Sequence, residues 1–157
     1  MPEFQQASSD RILFTRLAPI VFAAGLIFPG MAFGDGSAFI HTADSAELEW
    51  GPCPPFMPEN CAIAVLQGDP TEPNADVFFK MGGNSKVPSH THTSAERMVL
   101  ISGELEVEYE GQPAEVLTPG TYAYGPAGLA HSATCRSDED CVLFIAFEEP
   151  VDAVPAG

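Results

Sequence analysis

Basic residues are scarce: the 157-residue chain has 6 Lys and Arg against 22 Asp and Glu, for a formal net charge of −16. A field of that sign repels phosphate backbones and anionic headgroups, which excludes nucleic-acid binding and a polybasic membrane contact. No apolar run reaches the roughly 20 residues that a bilayer-spanning helix needs. The best stretch, Leu17 to Phe28, is twelve residues long and contains Pro19 and Gly25. There is no glycine-rich phosphate loop, no CxxC pair and no Ser-His-Asp constellation, so phosphoryl transfer, dithiol redox chemistry and triad hydrolysis have no foothold. Beyond residue 34, no ten-residue stretch shows helical periodicity. Disorder is excluded by a hydrophobic content of 45% with 10% aromatics.

What is present begins with an export signal. Arg11 and Arg16 precede the apolar run, which Pro29-Gly30 breaks and Ala32-Phe33-Gly34 follows. A basic segment, an apolar segment and small residues at a cut make a secretory leader. Residues 1–34 are therefore expected to be cleaved before Asp35, leaving residues 35–157 as a single periplasmic or secreted domain with no membrane anchor. Four cysteines, Cys53, Cys61, Cys135 and Cys141, all follow the expected cut. An even count in an exported chain reads as disulfides. Each pair flanks a polar or proline-rich loop, so local pairing is expected, 53 with 61 and 135 with 141. A structural zinc site is disfavoured, because neither spacing supplies a CxxC.

The rest of the chain, with 14 Gly and 15 Pro over its length, reads as short strands separated by turns. Strands are expected at 62–66, 76–81, 96–102, 104–109, 122–124, 131–135 and 141–147. The clearest is Glu104-Leu105-Glu106-Val107-Glu108-Tyr109-Glu110, where period two sets Leu105, Val107 and Tyr109 against four glutamates. Such a chain is all-β, a sandwich or barrel.

Only four histidines occur: His41, His90, His92 and His131. His90-Thr91-His92 places two imidazoles on one face of a strand, and a strand continuing to Glu96 returns a carboxylate to that face. His131, after the Gly125-Pro126-Ala127-Gly128 turn, is the best candidate for a fourth ligand from a neighbouring strand. Three neutral imidazoles and one carboxylate suit a divalent first-row metal, and Fe, Mn, Ni, Cu and Zn all fit. His41 lies in an early Ser/Ala/Gly-rich stretch and reads as a loop residue.

These stretches resemble the two sequence motifs of the cupin family. His90, His92, Glu96 and Gly103 fit every interval of the first motif from its first histidine onward, and Gly120, Pro126, Gly128 and His131 fit the second. Two positions depart. The leading glycine of the first motif falls one residue early, at Gly82-Gly83 before Asn84, and the closing asparagine of the second is Cys135. The match is tight over residues 81–135. The resemblance implies a small jelly-roll barrel holding its metal inside on His90, His92, Glu96 and His131, and a dimer as the assembly. Trp50-Gly51-Pro52, Pro54-Pro55 and Gly68-Asp69-Pro70 are also similar to the lead-in of cupin domains of the anti-sigma-factor type, a role that export argues against.

Strand parity puts Met98, Leu105, Val107, Tyr109 and Phe147 on the walls of a pocket around the metal, with Leu100, Leu143 and Ile145. An apolar pocket beside a metal suits a small organic ligand. Glu96 is the candidate catalytic base, as resemblance to cupin dioxygenases such as quercetinases implies. The expected activity is a metal-dependent dioxygenase; a non-catalytic metal or ligand-binding module, or a cupin isomerase or lyase, remains the alternative.

Overall fold

The computed structural model describes residues 38–157, so the leader expected over residues 1–34 lies outside the described residues. Eleven strands and no helix occur among the described residues. They are β1 (Trp50–Pro52), β2 (Ala62–Gln67), β3 (Asp76–Met81), β4 (Lys86–Thr91), β5 (Glu96–Ser102) and β6 (Leu105–Tyr109), followed by β7 (Glu115–Leu117), β8 (Tyr122–Gly125), β9 (His131–Cys135), β10 (Cys141–Phe147) and β11 (Val154–Pro155). They form two sheets in the orders β1-β2-β3-β10-β5-β8 and β11-β4-β9-β6-β7. Every pairing is antiparallel. This is the all-β architecture that the turn-rich composition predicts.

All seven expected strands are present, within one residue at each end. Four further strands lie outside those seven ranges, although the H-x-H reading already implied one through His90, and the reasons are local. Pro52, Pro88 and Pro155 each sit inside one of β1, β4 and β11, and proline argues against a strand because it cannot donate to the ladder. In β4 the register against β9 shifts between Val87 and His90, which is where Pro88 sits. The fourth, β7, has only three residues, too few to show a period.

Alternation in β6 is as read: Leu105 and Val107 are buried, and Glu104, Glu108 and Glu110 are exposed. The buried positions of β3, β5, β6 and β10 meet between the sheets as one core that includes Val77, Met81, Leu100, Leu105, Leu143 and Ile145. Complete burial of one such aliphatic side chain contributes about 1.5–3 kcal/mol, so this layer holds the sheets together.

Both disulfides have the expected local pairing, Cys53–Cys61 and Cys135–Cys141, and no described cysteine is free. The second bridge joins the end of β9 to the start of β10, strands that belong to different sheets. Two backbone positions make this end possible. Asn84, where the motif would have glycine, adopts a left-handed φ of 57°, which asparagine tolerates better than most residues. Gly103 has φ 81°, and a Cβ there would stand 2.7 Å from the Cys141 sulfur.

Candidate metal centre

Three elements bring the chemistry together. His90 lies on β4 directly opposite His131 on β9 in the register, so adjacent strands supply both. His92 follows just past the end of β4. Glu96 arrives differently from the expectation. The strand does not continue: it ends at Thr91, the chain turns at Thr93-Ser94, and Glu96 opens β5 in the opposite sheet. The turn is held by its own hydrogen bonds. Thr93 N donates to Asp152 Oδ1 at 2.8 Å, and Ser94 Oγ accepts from Glu148 N at 2.8 Å and Glu149 N at 2.9 Å. Glu96 thus faces the histidines from across the interior rather than from their own strand.

The ligand atoms of His90, His92 and His131 lie within 4.8 Å of one another, a set that can hold a metal ion. The Glu96 oxygens stand 3.4 Å from His92 Nε2 and 3.5 Å from His131 Nε2. All four side chains are buried. Each imidazole is oriented by a backbone carbonyl. His90 Nδ1 donates to Pro88 O at 2.9 Å, His131 Nδ1 to Leu129 O at 3.1 Å, and His92 Nδ1 to Asp152 O. A carbonyl only accepts, so each Nδ1 carries the proton and each Nε2 is left with a free lone pair. Orientation of a metal-binding imidazole through its second nitrogen is a general feature of such sites.

Burial sets the charge. It lowers the proton affinity of all three imidazoles, His92 and His131 to about 4, and pushes Glu96 up to about 8. At neutral pH the metal-free cluster is therefore uncharged, with neutral rings and a protonated carboxyl. Its His–Glu contacts, at 3.4 and 3.5 Å, are then between neutral groups rather than ion pairs. Removing this much buried polarity from water without a full set of partners is unfavourable, and a cation would engage all the free lone pairs at once. The residues present fit a divalent metal.

A cavity of about 230 Å³ opens beside the cluster. Met98, Leu105, Val107 and Phe147 line it as expected, with Leu143 and Ile145. Tyr109 does not. Its ring packs on His131 at 5.2 Å between centroids, while its buried hydroxyl has no hydrogen-bond partner. That hydroxyl and Glu96 Oε2 approach the same point, 3.1 and 3.2 Å from where a Cβ on Gly125 would stand. The wall also includes residues the sequence reading did not single out, among them Met57, Ile63, Phe79, Val151 and Asp152. Ile63 and Phe79 had a signal in their strand parity; Asp152, in an irregular tail, had none. His41 packs near Phe39 and is outside the cluster. Arg97 points outward to Glu148, at 2.6 Å, as its parity requires.

A family model described as the ChrR Cupin-like domain matches residues 39–150. The chain belongs to the cupins. Solved structures of similar fold include the DMSP lyase DddQ from Ruegeria pomeroyi DSS-3, with a TM-score of 0.60 and 20% identity over 69% of this chain and 61% of that one. The polyketide cyclase RemF from Streptomyces resistomycificus has a TM-score of 0.63 and 13% identity, covering 76% of this chain and 87% of that one. A cupin-2 domain from Rhodospirillum rubrum has a TM-score of 0.62 and 13% identity, covering 77% and 83%. At these identities the likeness is one of fold, and this cupin spans about three-fifths of the lyase's length. No curated protein matches the sequence. Among the described residues, no helix is long and apolar enough to cross a membrane.

Proposed function

We propose that this cupin is an exported, metal-dependent oxidoreductase, a dioxygenase that brings a small organic substrate and oxygen to one divalent metal held by His90, His92, His131 and Glu96. The observation that carries the reading is the tautomer pattern: three buried rings with every Nδ1 committed to a carbonyl and every Nε2 facing the others. A bound metal would supply a template and Lewis acid. The chain's own part is to orient, to exclude water and to handle a proton. The apolar wall excludes water from the cluster, and Glu96, the one carboxyl in the cluster, is the group placed to handle a proton. Lyase or isomerase chemistry on the same metal would use the same carboxyl.

A second reading, binding without turnover, draws on the bareness of the wall. Apart from the ligand set, its only titratable side chain is Asp152, and one Asp152 carboxylate oxygen already accepts from Thr93 N. Export is supported by the two disulfides, which an oxidising compartment retains. Elemental analysis of protein taken from its native compartment, paired with oxygen uptake on catechol and diketone probes, separates the readings. The enzyme reading expects about one metal per chain and oxygen consumption. One metal with no consumption on any probe favours the binding module, and the intact mass should begin at Asp35. Metal content unaffected by His131→Ala or Glu96→Ala sinks both readings.

A further inference from the structure

We infer that the cavity takes a compact molecule whose polar atoms all lie at one end: one oxygen-bearing head, single or of two adjacent oxygens, on an aliphatic or aromatic body, with no anionic or hydroxyl group away from that head. This rests on the metal site proposed above, which receives the head. The inference comes from where the polar atoms of the wall are. Outside His90, His92, His131, Glu96 and Asp152, every residue lining the cavity is Val, Leu, Ile, Met, Phe, Ala, Pro or a disulfide-bonded Cys. Among the described residues, no Lys, Arg, Ser, Thr, Asn, Gln, Tyr or Trp lines it. Along the strand at the centre of the wall, main-chain groups do not fill the gap. The central wall strand β10 is paired along both edges, by β3 and by β5, so its amides and carbonyls are used in the ladders. Asp152 is also engaged, its carbonyl by His92 Nδ1 and one carboxylate oxygen by Thr93 N.

A second polar group on the ligand therefore loses its water and meets no side-chain donor on this wall beyond the metal site. Each such group weakens binding about tenfold or more. A second carboxylate fares worst, because it meets a cavity without a basic residue in a chain of net charge −16. Size sets the other limit. At about 230 Å³ the cavity is below the roughly 300–1,000 Å³ of pockets that enclose drug-sized ligands, so it suits a compact ligand. Sugars, dicarboxylic acids and flavonols are excluded together.

Three probes of one chain length test this: hexanoate, adipate and 6-hydroxyhexanoate, titrated calorimetrically into the zinc-loaded mature protein with its metal content measured alongside. Hexanoate should bind at least tenfold more tightly than either of the others. Met57→Lys, a half-buried wall position on the loop closed by Cys53–Cys61, adds one ammonium on a stem of similar length. It should narrow the gap between hexanoate and adipate several-fold. Adipate or 6-hydroxyhexanoate binding as tightly as hexanoate, or no hexanoate binding to protein that carries one zinc, overturns the inference and leaves the metal site standing. Protein that takes up neither zinc nor any other first-row divalent metal overturns the proposed function and this inference with it.

Discussion

The two ends of the cavity-bearing core are closed by opposite chemistry on the same strands. β9 starts at His131 and finishes at Cys135; β10 starts at Cys141 and finishes at Phe147, whose ring packs 5.6 Å from that of His92. At the far end Cys135–Cys141 ties the two sheets covalently. At the near end no disulfide joins them, only the main chain through Thr93-Ser94, and four buried polar side chains converge, the imidazoles with only their Nδ1 atoms bonded to carbonyls. One end constrains the fold, while the other accumulates unmet hydrogen-bonding capacity. The contrast explains how a small barrel tolerates such a cluster in its interior: the strands that present it are fixed where it is not.

Breaking the covalent end should have the largest effect. Replacing Cys135 and Cys141 together by Ser opens a loop with a sequence separation of 6, and should cost about 2–3 kcal/mol from restored unfolded-state entropy. Denaturant unfolding measures it. Metal stoichiometry should be unchanged at temperatures where the variant is folded, because His131 is anchored by its own bonds. A variant that keeps full stability but loses its metal would reverse the assignment of the two ends.

The near end is held by the tail rather than by a bridge. Val151 N donates to Pro70 O at 2.9 Å, β11 pairs with β4, and Ala156 N donates to Ser89 O at 3.0 Å. Between these anchors Asp152 receives His92 Nδ1. Truncation after Glu148 removes that acceptor, and loss of an outer partner of a ligating imidazole typically weakens metal binding about 10–100-fold. A zinc competition titration checks it. Unchanged affinity would mean that His92 keeps its orientation without the tail.

Acidity distinguishes the near end in a third way. In the metal-free protein the histidines have folded values below their ordinary 6.5, so the stability they confer is present above that value and is lost as pH falls below it, for His92 and His131 down to about 4. Glu96 has the opposite sign. Its value is raised from 4.5 to about 8, so its contribution is full below 4.5 and is lost as pH rises through 8. Three groups outweigh one below 6.5, and Glu96 acts alone above it. Metal-free protein should therefore be most stable near pH 6.5, with a decline towards pH 8 of at most about 1.4 kcal/mol per pH unit. Glu96→Gln should flatten the alkaline limb. An alkaline limb that survives this substitution would assign it elsewhere.

Legibility in the sequence follows the same division. Period-two alternation exposed the core strands and their inward faces, because β5, β6 and β10 each have one buried face. Intervals between His90, His92, Glu96 and His131 exposed the cluster without any knowledge of packing. The route to it was misread: alternation assumes an unbroken strand, and nothing local in Thr93-Ser94 announces a turn whose partners are Glu148, Glu149 and Asp152, more than fifty residues away. Those long-range bonds also explain why the tail, with no periodicity of its own, gave no sign of its place beside His92. Tyr109 shows the limit of parity. It lies on the inward face of β6 as read, yet it is packed behind the histidines rather than along the cavity.

Tyr109 also sets the smallest prediction, because its strand runs between the two ends: Leu105 pairs with Cys135 and Tyr109 with His131. Its hydroxyl is buried with no partner, and such a group costs free energy that its removal restores. Burial and the neighbouring Glu96 together push its proton affinity up to about 12, so the phenol remains a donor throughout the working range. Tyr109→Phe should stabilise the metal-free protein by up to about 1 kcal/mol. Loading zinc should shrink or reverse that gain, since an ionised Glu96 offers the phenol an acceptor that the neutral carboxyl supplies poorly. Thermal unfolding of both proteins, with and without zinc, reads the difference. A loss of stability in the metal-free variant would show that the hydroxyl is satisfied there already, and that the near end holds less unmet polarity than its four converging side chains imply.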